Sequence, residues 1–208
     1  MKHRKKETIG LLVTMKAKAG KEKEVKDFLL SGLPLVLQEP ETVSWFALQI
    51  DDSTFAIYDT FEVEGGRQEH LTGEVAIALL AHADNLLESF DVKVSIQPVN
   101  VIASNHKPGT QKKGLLVIMN AQAGKSEAVE NFLKTGEQLV ADEPETLSWY
   151  AFKLDDTTYA IFDTFAKDSG REAHLNGKIA AALMENAPSL LNDFKATAIQ
   201  KVDILASK

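Results

Sequence analysis

The chain has 208 residues, of which 44% are hydrophobic and 25% charged, and its formal net charge is −7. This balance is typical of a globular protein and unlike that of a disordered chain. The absence of cysteine excludes disulfide bonds, thiolate metal sites and cysteine nucleophiles. No compartment follows from the lack of cysteine alone, but together with the lack of a signal peptide and of a membrane span in the sequence it makes a cytoplasmic location the expectation.

Positive residues cluster only in a basic tail, residues 1–7, which contains Lys2, Arg4, Lys5 and Lys6. The other charges are scattered, so no surface is expected to follow a nucleic acid. The apolar stretch after the tail is short for a signal peptide, and no later run approaches the roughly eighteen apolar residues of a membrane span. We therefore expect neither a nucleic-acid nor a membrane partner.

The sequence repeats itself once, with a period of about a hundred residues. Gly10–Met15 aligns with Gly114–Met119, and the register holds without a gap as far as Phe90 and Phe194, with about half of the positions identical. A polar segment between the copies has the composition of a linker. The predicted division is a first repeat at 8–104, a linker at 105–113 and a second repeat at 114–208.

Within one repeat, the hydrophobic periodicity alternates between that of strands and that of helices. The first helix is expected to bend or break at Gly32 and Pro34. The predicted elements of the first repeat, in chain order, are a strand over Ile9–Ala17, a helix from Gly20 to Pro40, a hairpin of Thr42–Ile50 and Thr54–Phe61, a helix from Gly65, and a strand over Val92–Ile102 that closes the copy.

This βαββαβ order predicts a ferredoxin-like α+β fold, in which both helices cover one face of an antiparallel sheet. The strands are nevertheless apolar on both faces: in the first strand, Leu11 and Val13 point one way and Leu12 the other. A sheet with one wet face should alternate apolar and polar residues. We therefore predict that the two repeats pack sheet to sheet as a pseudo-dimeric α+β barrel, whereas separate domains would each expose a large apolar patch.

Three short motifs, present in both copies, resemble those of the antibiotic biosynthesis monooxygenase family of the dimeric α+β barrel superfamily. They are Glu-Pro-Glu-Thr before an aromatic strand, Asp-Thr-Phe at the end of the next strand, and Arg-x-x-His-Leu in the following helix. The resemblance implies dimerisation through the sheets and oxidation of a small quinol or phenolic aromatic by O2 without a cofactor. The motifs lie at 39–42, 59–61 and 67–71 in the first copy, and at 143–146, 163–165 and 171–175 in the second.

Cofactor-free oxidation suits quinols, because a deprotonated quinol is electron-rich enough to reduce oxygen itself. The protein then supplies a base, a group that stabilises the phenolate, and a dry aromatic cavity. His70 and His174 are the candidate bases, since histidine titrates near neutrality. Arg67 and Arg171, three residues earlier on the same helical side, are candidates to hold the phenolate. Each histidine could instead simply pack the start of its helix.

Asp59 and Asp163 interrupt apolar strand faces, so each is expected to have a buried partner and to belong to the catalytic group. If the hairpin register is even, Trp45 shares a face with Asp59, whereas an odd register places Tyr58 beside Trp45. The tryptophans either line a ligand pocket or fill the core. The remaining substrate-binding candidates are Trp149 in the second copy and the triplet aromatics Phe61 and Phe165.

Two functions thus remain open from the sequence: a cofactor-independent monooxygenase acting on a small aromatic molecule and O2, and a non-catalytic member that binds an apolar molecule or serves a structural role. No metal site is expected, because adjacent acids at the hairpin tips are typical turn formers. Haem degradation, known in a related branch of the superfamily, is disfavoured by the lack of a matching haem-ligating histidine. A further homodimer is left open.

Overall fold

The computed structural model describes residues 5–208, which fall into two compact units. The first unit runs to Val99 and also contains Asp203–Lys208, and the second is Asn100–Val202. Of the predicted basic tail, Lys2 and Arg4 lie outside the described residues. Within the described part of the chain, no helix is both long and apolar enough to cross a membrane.

Both repeats follow the predicted βαββαβ order, which confirms the α+β class and the two ferredoxin-like repeats. The first repeat consists of β1 (Ile9–Lys16), α1 (Glu22–Val36), β2 (Thr42–Gln49), β3 (Thr54–Phe61), α2 (Glu64–Leu71), α3 (Glu74–Leu86), α4 (Val92–Ser95) and β4 (Ile96–His106). The second consists of β5 (Lys113–Asn120), α5 (Ser126–Ala141), β6 (Thr146–Lys153), β7 (Thr158–Phe165), α6 (Asp168–Leu175), α7 (Lys178–Leu190), a 3-10 turn (Ala196–Ala198) and β8 (Ile199–Ser207).

Each unit contains an antiparallel sheet whose last strand comes from the end of the other repeat. In the first unit the order is β1-β3-β2, and the Asp203–Ser207 part of β8 pairs with β2. In the second unit the order is β5-β7-β6, and the Asn100–His106 part of β4 pairs with β6. The prediction that the last strand of each repeat completes the sheet of its own repeat is therefore wrong for residues 100–106 and 203–207.

The last strand of the first repeat also begins later than predicted. Residues Val92–Ser95 form a helical turn rather than a strand, because the Asp91 side chain accepts a hydrogen bond from the Lys93 amide at 2.9 Å and caps that turn. The strand then continues to His106, beyond the predicted end at Ile102.

Helix α1 is not broken at Gly32 and Pro34, so of the bend or break predicted there, the break is wrong. The helix runs through both residues to Val36. A proline inside a helix removes one backbone hydrogen bond, here to the carbonyl of Leu30, four residues earlier. Leu30 is exposed, so water can satisfy that carbonyl. Gly32 is buried against Trp45, and its lack of a side chain leaves room for the indole ring.

The single second helix predicted from Gly65 onward is in fact two helices, α2 and α3, separated at Thr72-Gly73. Gly73 has an extended backbone conformation at the start of α3. A Cβ atom at Gly73 would lie 3.0 Å from Oε1 of Glu39 and 3.1 Å from the carbonyl oxygen of Glu69. The break therefore allows the backbone to pass close to Glu39.

Both faces of the central strands are buried, as the apolar pattern predicted. On the helix-bearing face of the first unit, Leu11, Val13 and Ile57 pack with helical residues such as Val25 in one core cluster. On the opposite face, the buried residues are Leu12, Phe46, Leu48, Ala56 and Tyr58. A corresponding cluster in the second unit contains Val117, Val129, Ile161 and Leu183.

Candidate functional site

The hairpin of the first repeat has the even register. Trp45 on β2 lies directly opposite Asp59 on β3, whose other cross-strand neighbour is Leu11 on β1. Directly opposed side chains point to the same face of a sheet, so the indole and the carboxyl group both face the helices. The odd register, which would pair Trp45 with Tyr58, is wrong. The second repeat has the same pairing, with Trp149 opposite Asp163.

A β-bulge at the start of β2 changes the direction of one further side chain. The register of β2 against β3 shifts between Thr42 and Ser44. An extra residue in one strand re-aims the neighbouring side chain, and the Thr42 hydroxyl group donates a hydrogen bond to Oε2 of Glu39 at 2.6 Å. Thr146 makes the same bond to Glu143 at 2.8 Å, beside an equivalent bulge in β6.

A buried imidazole bridges two carboxylates in the first unit. His70, in the last turn of α2, has Nδ1 at 2.6 Å from Oε2 of Glu39 and Nε2 at 3.2 Å from Oδ2 of Asp59. The side chains of His70 and Asp59 are 7% and 1% exposed, so this contact is shielded from water. Glu39, with its side chain 20% exposed, forms the outer end of the group.

The second unit repeats this arrangement. Nδ1 of His174 lies 2.6 Å from Oε2 of Glu143, and Nε2 lies 3.4 Å from Oδ2 of Asp163. We refer to the two sets, Glu39–His70–Asp59 and Glu143–His174–Asp163, as the first and second carboxylate–imidazole triads.

The triads hold both histidines in the protonated form at neutral pH. Burial alone would lower the pKa of His70, but the carboxylates of Asp59 and Glu39 raise the pKa to about 10. The carboxylates of Asp163 and Glu143 likewise outweigh burial and raise the pKa of His174 to about 10. Both nitrogens of an imidazolium carry a proton, so each ring can donate to both of its carboxylates.

The buried aspartates are stronger proton acceptors than an ordinary carboxylate. Desolvation raises the pKa of Asp59 and of Asp163, and the neighbouring imidazolium opposes this effect without cancelling it. The outer carboxylate behaves differently: burial would raise the pKa of Glu39, but hydrogen bonds from His70 and Thr42 bring the pKa below its usual range. In the first triad the aspartate is thus a stronger proton acceptor than the outer glutamate.

An apolar cavity lies beside the second triad. Its volume is about 30 Å³, or about 450 Å³ when the open space above it is included. A volume of about 30 Å³ holds one water molecule and no aromatic ring. The walls are formed by Asp163, His174 and Trp149 together with apolar side chains, among them Leu115, Phe132, Ile161, Ile179, Leu183 and Ile199.

The first unit differs at this point. Its cavity beside Trp45 measures about 20 Å³, and neither Asp59 nor His70 is among the residues that line it. Phe28, which also lines this cavity, packs edge-on against His82 with ring centroids 5.6 Å apart. The second repeat has Asn186 in place of His82. The two triads therefore have similar bonding but different access to a cavity.

A larger cleft lies on the outer side of each triad. The clefts each measure about 310 Å³ and are lined by His70, Glu39 and Thr42 in the first unit and by the equivalent residues in the second. His174 lines both the outer cleft and the inner apolar cavity of its unit. Its imidazole therefore lies between the solvent-facing cleft and the buried aspartate.

The structure does not bring the predicted arginines to the triads. Arg67 donates to the carbonyl oxygen of Gly10 at 3.5 Å and pairs with Glu64. Arg171 donates to the carbonyl oxygens of Gly114 and Val202, each at 3.3 Å, and pairs with Asp168. Both arginines thus bind the first strand of their own unit rather than a group beside the histidine.

The aromatic residues of the Asp-Thr-Phe triplets pack directly against the imidazoles. The ring centroids of Phe61 and His70 are 5.5 Å apart, and those of Phe165 and His174 are 5.3 Å apart. Both phenylalanines are fully buried. They form an apolar wall that keeps the triads dry.

Sequence reasoning found the aspartates and histidines but missed the outer acids and the threonines. Glu39 and Thr42, with Glu143 and Thr146, were noted only as parts of a motif. The available signal was the identical Glu-Pro-Glu-Thr block in both copies, which combines hydrogen-bonding side chains with a rigid proline. Among residues 5–208, no group of acidic and histidine side chains is arranged to hold a metal ion.

The fold of the whole chain is shared with solved structures. A proposed monooxygenase from Fusobacterium nucleatum is 12% identical, with a TM-score of 0.81 over 97% of this chain and 94% of the other. One from Lactobacillus acidophilus is 10% identical, with a TM-score of 0.80 over 97% and 96%. An anthrone oxidase-like protein is 9% identical, with a TM-score of 0.65 over 98% and 93%.

The comparisons by sequence give no further assignment, since no protein-family model and no curated protein matches the chain. At these identities the likeness establishes the fold. It confirms the fold that the predicted resemblance implies.

Proposed function

Because the chain has the fold of monooxygenase-like proteins and carries a dry proton acceptor beside an apolar cavity, we propose that it is a cofactor-independent monooxygenase. Its substrate is a small quinol or phenolic aromatic, and its oxidant is O2. The observation that supports this most directly is the buried carboxyl group of Asp163 on the wall of the cavity, next to the His174 imidazolium. An anthrone oxidase-like protein of the same fold supports an aromatic substrate.

The first step is removal of a phenolic proton. Asp163 accepts this proton, since desolvation raises its pKa above the ordinary value of a carboxyl group and makes it a stronger base. The His174 imidazolium then stabilises the phenolate through its charge, which acts strongly in a dry pocket. The histidine thus serves as a fixed cation, and the aspartate serves as the base. The first triad has the same groups for the same step.

The deprotonated substrate then reduces O2. The balanced step is substrate-H2 + O2 → substrate=O + H2O: the ring loses two hydrogens, which leave with one oxygen atom as water, and it gains the other oxygen atom. No metal ion or organic cofactor is needed, because the substrate supplies all four electrons that O2 takes up. The protein contributes a base, a cation and an apolar enclosure. The proposal includes the predicted cytoplasmic location.

Oxygen uptake with a panel of hydroquinones tests the proposal. We expect the double variant Asp59→Asn, Asp163→Asn to lower the uptake rate by about 10²-fold or more, the range of general-base catalysis. The double variant His70→Ala, His174→Ala should also lose activity, because both cations are removed. Asp156→Asn, at an exposed hairpin tip, is the control and should retain native uptake. Native rates in the double aspartate variant would contradict the assigned base.

A non-catalytic binding protein is the second candidate, and the small volume of the cavity favours it. About 30 Å³ accommodates an aromatic ring only after side chains on the walls move. Binding of quinols without oxygen uptake by the native protein would support this candidate and exclude the monooxygenase for those substrates.

A further inference from the structure

Two residues that line the cavity of the second unit each carry a buried polar atom without a hydrogen-bond partner among the described residues. These atoms are Oδ1 of Asp163 and Nε1 of Trp149. Both residues are 1% exposed. Leaving such groups unpaired costs free energy, so their presence together in an apolar wall points to an outside group that pairs with them.

The two atoms have complementary roles. Trp149 and Asp163 are direct cross-strand partners on one face of the sheet, and both line the same cavity. The indole N–H can only donate, and the ionised carboxylate can only accept. A group that satisfies both atoms must therefore accept one hydrogen bond and donate another, which a hydroxyl group does.

We propose that Asp163 and Trp149 bind the hydroxyl group of a phenolic ligand in the cavity of the second unit. The hydroxyl group donates to Oδ1 of Asp163, and its oxygen accepts from Nε1 of Trp149. Because a volume of about 30 Å³ holds no aromatic ring, side chains on the apolar walls, among them Phe132, Leu183 and Ile199, move aside to admit the ring above the pair. This inference rests on the proposed function and specifies the subsite that recognises the substrate.

The inference applies to the second unit because only there does the aspartate line the cavity. Nε1 of Trp45 and Oδ1 of Asp59 also lack hydrogen-bond partners within residues 5–208. However, the small cavity beside Trp45 is not lined by Asp59. The first unit thus has the equivalent aspartate and tryptophan but, among the described residues, no cavity that both of them line. Ligand binding in the two units can therefore be compared within one molecule.

The two tryptophans give two indole N–H signals in an NMR spectrum, and the variant Trp45→Phe assigns the signal of Trp149. We would titrate the protein with phenol and with toluene, which has nearly the same shape but no hydroxyl group. The titration is carried out without O2, so that binding is measured even if the protein catalyses no oxidation.

We expect phenol to saturate the Trp149 signal at a concentration about tenfold lower than toluene, as one hydrogen bond to a charged group implies. Asp163→Asn should remove most of this preference, whereas Asp59→Asn should leave the Trp149 titration unchanged. If Asp163→Asn does not fold, Asp163→Glu tests the same point, because a longer carboxylate shifts the acceptor and weakens the preference.

Equal saturation by phenol and toluene would overturn the inference, because it would mean that the pair binds water only. A larger effect of Asp59→Asn than of Asp163→Asn would also overturn it. Preferential phenol binding without oxygen uptake would leave the subsite standing while contradicting the proposed oxidation.

Discussion

Nε2 of His70 lies 3.2 Å from Oδ2 of Asp59, in a contact that is almost completely shielded from solvent. The other ring nitrogen is held by Glu39. An imidazole between two carboxylates stays charged well above the pH at which free histidine loses its proton. This relationship changes the chemical role expected of the histidine, because a permanently charged imidazolium stabilises an anion rather than removing a proton.

The charge state of the histidines can be measured directly. We expect His70 and His174 to remain protonated at pH 8.5, since the pKa of each is raised to about 10. Glu39→Gln should lower the pKa of His70 by removing one of its two carboxylates, without changing that of His174. NMR titration of the imidazole signals measures both values.

The control for this titration is Glu41→Gln. Glu41 lines the same outer cleft, but its carboxylate pairs with Lys5 rather than with the imidazole. If Glu41→Gln lowers the pKa of His70 as much as Glu39→Gln does, the direct contact is not the cause.

Stability should decrease as the pH rises through the alkaline range. A histidine whose pKa is about 10 in the folded state and about 6.5 in the unfolded state stabilises the fold fully below pH 6.5. That contribution is lost progressively up to pH 10, by about 1.4 kcal/mol for each unit of pKa difference. Urea unfolding at a series of pH values measures it.

The double variant His70→Gln, His174→Gln should show a much flatter profile between pH 6.5 and 10, because the groups that release protons in this range are gone. An equally steep decrease in that variant would show that other residues cause the pH dependence.

The triads show what the sequence could and could not predict. Asp59 and Asp163 were identified because a carboxylate in an apolar strand requires a partner, but the sequence left that partner unnamed and both hairpin registers open. The histidines were identified separately, from the motif in the next helix. The sequence did not predict the position of Glu39 beside His70, because that contact depends on the break between α2 and α3. The apolar residues of α2 and α3 have the spacing of one continuous helix, so their pattern does not show the break.

Local sequence patterns also could not predict that the last strand of each repeat pairs with a strand of the other repeat. The repeats are about half identical, so the end of β8 fits beside β2 as well as the end of β4 would. Periodicity identifies a strand but not which of two similar partners it pairs with. The break predicted at Pro34 was wrong for a different reason: the loss of one hydrogen bond near an exposed helix end is tolerated.

Gly136→Ala should disturb the second cavity. A Cβ atom at Gly136 would lie 2.8 Å from Cζ2 of Trp149, within the core of the unit. Although alanine favours helices, overpacking of a core costs about 1–3 kcal/mol. We therefore expect net destabilisation and a changed Trp149 fluorescence, measured by urea unfolding and emission spectra.

Two other glycines provide the comparison for Gly136. At Gly32 the added atom would lie 3.3 Å from Trp45, so a smaller loss is expected, and at Gly65 no atom lies within 4 Å. Gly65→Ala, in helix α2, should therefore be neutral or stabilising by up to about 1 kcal/mol. The same loss of stability in Gly65→Ala and Gly136→Ala would show that the contact with Trp149 is not responsible.

Removal of the C-terminal residues 203–208 should weaken the sheet of the first unit. Phe46 pairs with Ser207 and Leu48 with Ile204, and the Lys208 amide donates to the Trp45 carbonyl at 2.8 Å. Truncation leaves the β2 edge unpaired. We expect faster amide hydrogen exchange in β2 and little change in β6, whose partner is β4.

The matched control is Lys208→Met, which keeps the strand and removes only the ammonium group. That group donates to the carbonyl oxygens of Val36 and Glu39 at the end of α1, at 2.9 and 2.5 Å. Loss of these bonds should cost about 1–2 kcal/mol without opening β2, since the backbone pairs remain. If truncation leaves exchange in β2 unchanged, the end of β8 does not stabilise the first unit, and the pairing of Leu48 with Ile204 contributes little to its fold.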